Sequence, residues 1–302
     1  RELEQAALPL ELDGLEGREW YELLATKLVP QLSDDAFLVV AVVGGTNIGK
    51  SVIFNHIAGS RASASSPLAS GTRHPTCLVP DRFDERHALG AIFPGFKLQP
   101  TNDPGDALRD SDRHYLFWRT EPSLPGNLLV LDTPDIDSEV RVNWERADQM
   151  RRCSDVLVAV LTQQKYNDAA VKEFFRRAAA EDKLVLIVFN QVQLPEDEPY
   201  WPLWTQTFCR ETGIEPEHVY LAPYDRRAAE QIALRFQERP WPQDAPQQTV
   251  RPSRVEADES QEAGRNLLED LSRLRFAEIK MRTLEGSLNQ LLDTQSGLPT
   301  YL

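Results

Sequence analysis

The stretch "GGTNIGKS", Gly44 to Ser51, puts four residues between two glycines and follows the second with lysine and a hydroxyl. That order suits phosphate. Successive backbone N–H groups of Gly44, Gly45, Thr46, Asn47, Ile48 and Gly49 can wrap an anion, and the following helix turns its positive end toward it. Lys50 would reach the outer phosphates, Ser51 would ligate Mg²⁺, and Val52 closes the binding stretch. Other chemistries lack their patterns. His56, His74, His87, His114 and His218 have no metal-ligand spacing and read as solvated or structural. "NDPGDALRDSD" lacks the order of a calcium loop and reads as a solvated acidic loop. GxSxG and HExxH are absent from the sequence.

A loop of this kind works only between a buried strand and a helix, and the flanking residues supply both. "AFLVVAVVGG" is an apolar strand running into glycines, and "KSVIFNHIAG" is a short helix. Residues 60 to 80 are rich in Ser, Gly and Pro and read as one long loop, a length that usually signals function or disorder. "HYLFWRT" and "NLLVLDT" read as paired strands. "SDVLVAVL", "KLVLIVFN" and "EHVYLAP" continue the apolar strand series, the last as the final strand. Between and after them come helices "NDAAVKEFFRRAAAE", "WPLWTQTFCRETG", ending at Gly213, and "DRRAAEQIALRFQE". Apolar strands alternating with helices predict an α/β fold, a mostly parallel sheet with helices on both faces.

The spacing divides the chain into an N-terminal helical segment over 1–32, a nucleotide-binding domain over 33–238, a Pro-, Gln- and acid-rich linker over 239–264, and a C-terminal helix over 265–302. In the first segment Trp20, Tyr21, Leu24 and Leu28 share a helical face, with Pro30 as its stop. In the last, one helix is expected from about Arg265 to Asp293. There Leu274, Ala277, Met281, Leu284, Leu288 and Leu291 keep a heptad-like spacing, which Gly286 weakens as a coiled coil.

With 302 residues, 41% of them hydrophobic, the chain can build one sizeable core. Its net charge of -14 argues against nucleic acid as a main partner, since phosphate backbones select clustered basic surface. Cys77, Cys153 and Cys209 form no CxxC and read as reduced thiols of a cytosolic protein. No stretch has the length of a membrane span. The chain opens without Met or a signal peptide, so the expectation is a segment of a longer protein, with any membrane-associated part outside it.

Over roughly Phe37 to Ala229 the order of motifs resembles P-loop GTPases of the translation-factor class, on the dynamin-like and Era-like branches. The resemblance implies GTP or GDP as ligand with Mg²⁺. "SGTRHPTCLV" is similar to the switch segment of those families and selects Thr72 to ligate Mg²⁺ and close over the γ-phosphate, with Thr76 as second candidate. Asn47 stands where Era-like relatives hold K⁺ near the phosphates; the alternative is an Asn that tolerates the loop's backbone conformation. On this resemblance Lys50, Thr72 and Asn47 carry catalysis, and Ser51, Thr72 and Asp132 hold the metal.

Two motifs depart from the pattern. In "LLVLDTPDIDS", Asp132 stands at the strand end as the family requires, but Asp135 replaces the glycine that senses γ-phosphate, and Ile136 follows instead of a water-positioning glutamine. A carboxylate about 5 Å from phosphate charge costs on the order of 3 kcal/mol at an effective dielectric of ~20. Asp135 is therefore expected to point away, or γ-phosphate sensing to be weak. In "FNQVQLPED" the base-reading motif keeps Asn190 but has Gln191 for lysine and Gln193 for aspartate. An amide offers one acceptor and one donor group where guanine presents two donors, and an unmet donor costs about 1–3 kcal/mol. Glu196 or Asp197 could substitute by folding over the base, although "PEDE" reads first as a solvated acidic loop. Ala222 matches the alanine that offers its N–H to the base. After the strand "SDVLVAVL", Gln163, Lys165 or Asn167 could touch nucleotide or partner, with a helix N-cap at Asn167 or Asp168 as the simpler reading.

The expectation is a guanine-nucleotide-binding switch or mechanochemical unit with slow GTP hydrolysis. The alternative is a pseudo-GTPase scaffold without turnover, and an ATPase is a third reading. From the resemblance come a homodimer through the nucleotide face, a neck formed by the flanking helices, against the simpler reading that both helices cover the core, and a cytoplasmic domain whose full-length protein associates with membrane.

Overall fold

The computed structural model describes residues 18, 20–21, 24, 36–64, 71–138, 141–242, 266–295 and 297–300. Leu28, Pro30 and most of the 239–264 linker lie outside them.

Nine strands among the described residues form a single sheet in the order β3-β4-β2-β5-β1-β6-β7-β8-β9. They are β1 (Leu38–Val43), β2 (Thr76–Val79), β3 (Lys97–Pro100), β4 (Tyr115–Thr120), β5 (Leu128–Asp132), β6 (Val156–Leu161), β7 (Leu184–Val192), β8 (Pro216–Pro223) and β9 (Gln237–Arg239). The five central strands β5-β1-β6-β7-β8 are parallel. This is the expected α/β sheet, and the alternation along β1 shows why its strands read as unbroken apolar runs. Val39, Ala41 and Val43 face one hydrophobic cluster while Leu38, Val40 and Val42 face the other. Successive side chains point to opposite faces, and both faces are covered.

Helices supply those covers. On one face lie α1 (Lys50–Ala58), through Ile53, Phe54 and Ile57, and two C-terminal helices through Leu267, Leu271 and Ile279. On the other lie α4 (Arg141–Cys153), α5 (Ala169–Ala180) and α6 (Trp201–Thr212), through Met150, Phe174, Phe175, Trp204 and Phe208. Each such side chain contributes roughly 1.5–3 kcal/mol by leaving water. The short α2 (Phe83–Arg86), α3 (Leu89–Ile92) and α7 (Arg226–Glu230) complete the layers. Asp168 caps α5 by accepting from Ala170 and Val171 N–H, and α6 ends at Gly213 in the left-handed region, φ 76°.

Several expectations are corrected. "HYLFWRT" and "NLLVLDT" share the sheet but are not neighbours, because β2 lies between them, antiparallel to β5 and parallel to β4. The long loop is thus interrupted by a strand at Thr76–Val79. After β8 the helix is one short piece, and the chain returns as an antiparallel edge strand, β9. The "NDPGDALRDSD" segment holds a short 3₁₀ turn capped by Asp103, with Asp106 buried.

The C-terminal helix is two helices, α8 (Leu267–Arg273) and α9 (Phe276–Leu291), broken where Leu274 adopts an extended ψ of 141°. Apart from Leu291, its heptad positions do not form the buried face. Met281 is 67% and Leu288 46% exposed, while Lys280, Thr283, Gly286 and Ser287 are buried. Lys280 reaches Asp155 at 2.8 Å, at the start of β6. Gly286 lies so near the turn before β7 that a Cβ would stand 2.8 Å from the Glu181 carbonyl. Close packing on the domain, not a coiled-coil fault, accounts for that glycine. Trp20 is buried against Leu291, with Tyr21, Leu24, Leu284 and Leu298 around them, so residues from both ends of the chain meet on α9. No described helix is long and apolar enough to cross a membrane.

Candidate functional site

The phosphate loop leaves the C-terminal end of β1 and enters α1 as the spacing predicts. Asn47, with φ 59°, and Gly49, with φ 89°, adopt left-handed backbone. Asn tolerates this region better than most residues, which is the conformational reading of Asn47. At Gly49 a Cβ would stand 2.3 Å from Asn190 Nδ2, which leaves no room for a side chain. Asn190, near the end of β7, donates to the Ile48 carbonyl at 2.7 Å and so ties that strand end to the loop.

Lys50 is 5% exposed and donates to the Gly45 carbonyl at 2.7 Å. Its second partner is the carboxylate of Asp135, which is itself buried. Asp135 thus points into the phosphate site instead of away from it. Two residues on, Asp137 accepts from both the backbone N–H and the hydroxyl of Thr46, each at 2.7 Å. Lys165 holds the other oxygen of Asp137 at 2.6 Å. The Asp137 carboxyl is held below the usual range: burial opposes its charge, but Lys165 and Thr46 prevail.

Beside Lys50, three candidate metal ligands converge. Ser51 Oγ donates to Asp132 Oδ2 at 2.8 Å and lies 3.3 Å from the Thr72 hydroxyl. Thr72 is buried on the loop, whereas Thr76 sits in β2 opposite Asp132. Asp132 is fully buried at the end of β5, and its Oδ1 has no hydrogen-bond partner among the described residues. Burial pushes the Asp132 carboxyl up, against hydrogen bonds from Ser63 and Ser51 and the charge of Lys50. An orphaned carboxylate oxygen beside two hydroxyls is an oxygen donor set that fits a hard divalent cation. No group of three His, Cys, Asp or Glu among the described residues offers an alternative metal site.

Sequence reasoning missed Ser63, which donates to Asp132 Oδ2 at 2.6 Å. Asn55 on α1 positions it, accepting from Ala62 and Ser63 N–H and donating to the Ser63 carbonyl. Asn55 is buried on α1 within the apolar run of Ile53, Phe54 and Ile57, and a polar residue in that run was the available signal. Lys165 appeared among the candidates, but its partner Asp137 did not.

A cavity of about 490 Å³ runs from Asn47, Lys50 and Ser51 past Thr72 and Asp135 to Asn190, Gln191, Pro223, Tyr224 and Asp225. Gln191 reaches it with φ 61°. Ala222 is buried in β8 just before Pro223. Gln193 is exposed and outside the lining. Its backbone N–H donates to Asp197 Oδ2 at 2.8 Å, and its carbonyl accepts from Asp197 N–H at 2.7 Å. Asp197 is therefore neither solvated nor folded over the cavity. It is buried and holds the turn.

Residues 39–191, half of the chain, match the model of the family described as 50S ribosome-binding GTPase. The chain belongs to that family, and the matched region is a guanine-nucleotide-binding G domain of the P-loop type. No curated protein matches the sequence. Among solved structures, Era of Aquifex aeolicus bound to GDP and AlF₄⁻ is 18% identical, with a TM-score of 0.40 over 62% of this chain and 51% of that one. Era in complex with MgGDPNP and a piece of 16S ribosomal RNA is 18% identical, with a TM-score of 0.41 over 69% of this chain and 60% of that one. A chain of an oligomerised bacterial dynamin pair is 13% identical, with a TM-score of 0.45 over 77% of this chain and 46% of that one. The chain thus spans about half the length of the first and third of these.

Proposed function

We propose that this domain is a Mg²⁺-dependent guanine-nucleotide switch with slow intrinsic hydrolysis. The observation that carries the reading is the orphaned Asp132 Oδ1 beside the Ser51 and Thr72 hydroxyls. In this reading the amides of residues 44–52 cradle the phosphates and Lys50 reaches the outer ones. Ser51, Thr72 and Asp132 would hold Mg²⁺, which supplies counter-charge to the phosphates when bound. Asn190 fixes the loop against β7, and Gln191, Pro223 and Ala222 frame the base. Because Gln193 stands outside the cavity, base selection is weaker than a carboxylate would give.

Slow hydrolysis follows from Ile136, which is fully buried and apolar where a side chain able to orient water would be needed. K⁺ at Asn47, or a second copy across the nucleotide face, would supply the missing stabilisation. Turnover measured with K⁺ against Na⁺ and at rising protein concentration tests both. A mechanochemical role passed to α9, and a membrane-associated full-length protein, belong to the same proposal.

The test of the reading is calorimetric titration with GDP, GTP and ATP in Mg²⁺ and K⁺, with Lys50→Ala as control. Guanine nucleotides binding tightly, ATP weakly, and neither binding the control is the expected result. Equal affinities, or none, would sink it. The second reading, an interaction scaffold without turnover, would then stand, favoured by Ile136 and by the pairing of Lys50 with Asp135.

A further inference from the structure

Two donors of the phosphate loop are already bound by carboxylates of the chain itself. Lys50 pairs with Asp135, and the Thr46 N–H donates to Asp137 at 2.7 Å. Both acids come from the segment just after β5. The other lysine at this end, Lys165, is also neutralised, by Asp137 at 2.6 Å. Each lysine at the outer end of the phosphate site thus has a carboxylate partner before any ligand arrives.

From this we infer that Asp135 is a specificity-determining residue, a built-in anion that competes with the terminal phosphate of a triphosphate for Lys50 and biases the site toward the diphosphate. The inference rests on the proposed nucleotide-binding reading and deepens it. Like charges in a shielded site repel more strongly than in water, and Lys50 offers one positive charge for two claimants. Asp135 Oδ2 lies where a Cβ on Gly71 would stand, at 1.9 Å, so it is lodged against the backbone next to Thr72. A terminal phosphate that takes Lys50 must therefore displace the Asp135 carboxylate from its place between Lys50 and that backbone. A diphosphate, one phosphate shorter, makes a smaller demand on that end.

The experiment titrates GDP and a non-hydrolysable GTP analogue, each with Mg²⁺, into the wild-type chain, Asp135→Asn and Asp135→Gly. The readout is the ratio of the two dissociation constants, which general loosening of the fold does not move. Asn keeps the shape and removes the charge; Gly removes both. The wild type is expected to prefer GDP by at least about tenfold, and both variants to shift the ratio toward the triphosphate by about tenfold or more. An unchanged ratio in Asp135→Asn overturns the inference, because charge would then not be the cause. So does a shift in Asp135→Gly alone, which would assign the effect to backbone freedom. If no variant and no wild type binds either nucleotide, the nucleotide-switch reading itself falls, which separates the two failures. Should Asp135→Asn not fold, Asp135→Ser removes the same charge with a smaller side chain.

Discussion

Two buried lysine–aspartate pairs among the described residues sit at opposite ends of the sheet, and they are built differently. At the N-terminal end of β6, Asp155 accepts from Lys280 at 2.8 Å, from the Val39 N–H at 3.0 Å and from Thr283 Oγ1 at 3.3 Å. Lys280 Nζ also lies 5.1 Å from the centre of the Phe37 ring. At the C-terminal end of β1, Asp135 has Lys50 as its single hydrogen-bond partner among the described residues, and both border the cavity. A buried charge persists when its lone pairs are satisfied. The first pair meets that condition and clamps α9 to the sheet. The second leaves acceptor capacity unused next to space a ligand can enter. Burial alone does not separate a structural ion pair from a functional one; the remaining hydrogen bonds do.

The largest effect should come from breaking the satisfied pair. Asp155→Ala leaves Lys280 and the Val39 N–H without their acceptor, and removing one partner of a buried pair costs about 3–5 kcal/mol. The urea midpoint should fall with the slope unchanged. A loss below about 1 kcal/mol would break the comparison. Lys50→Ala should do the opposite. Asp135 borders the cavity and can rehydrate, so stability should fall by less than half as much, while nucleotide affinity drops by about a hundredfold in calorimetry. Equal stability losses for the two variants would show that the pairs do not differ in kind.

A subtler contrast is in pH. On the nucleotide side His74 is fully buried, and burial with the nearby charge of Arg146 pulls its pKa down to about 4 from 6.5. The unfolded chain then binds more protons between those values, so stability rises with pH across the window and is lost as pH falls through it. At the other end His218, near the start of β8, pairs with Glu238 at 2.8 Å. That hydrogen bond raises its pKa against the opposing effect of burial. Its contribution is therefore present below 6.5 and lost as pH rises through the raised value. Melting temperature against pH, wild type minus variant, should slope in opposite directions for His74→Gln and His218→Gln. Slopes of the same sign would contradict the assignment.

What the sequence disclosed follows the same divide between local and distant causes. The phosphate loop was legible because its donors lie within eight consecutive residues and need only a strand before and a helix after. Asp132, Ser51 and Thr72 followed from motif order. The orientation of Asp135 was not legible, since its partner is 85 residues away and repulsion from phosphate suggested the reverse. Ser63 was hidden in a serine-rich stretch that reads as loop. The order β4-β2-β5 was obscured because adjacent apolar runs usually pair, and nothing local shows a third strand between them. The heptad on α9 misled because its helix docks through Lys280 and Thr283 onto a carboxylate, so its buried face mixes polar residues with Ile279 and Leu291, and the periodicity of leucines points elsewhere.

The smallest predicted effect tests how tightly that docking is fixed. Gly286→Ala should gain roughly 1 kcal/mol of helix propensity in α9. Against it, the new Cβ would stand 2.8 Å from the Glu181 carbonyl and 3.0 Å from Asp182 Cβ. Backbone atoms cannot rotate out of the way, and overpacking of this kind costs typically 1–3 kcal/mol. The steric term should win because Lys280 is anchored on Asp155 less than two turns before Gly286, so α9 cannot back away without stretching that pair. A net loss of about 1 kcal/mol in urea denaturation is expected. A net gain would mean that α9 lifts freely from the turn before β7. In that case the clamp on Asp155 would hold one end of the helix and not its middle, and the two lysine–aspartate pairs would be closer in character than their hydrogen bonds imply.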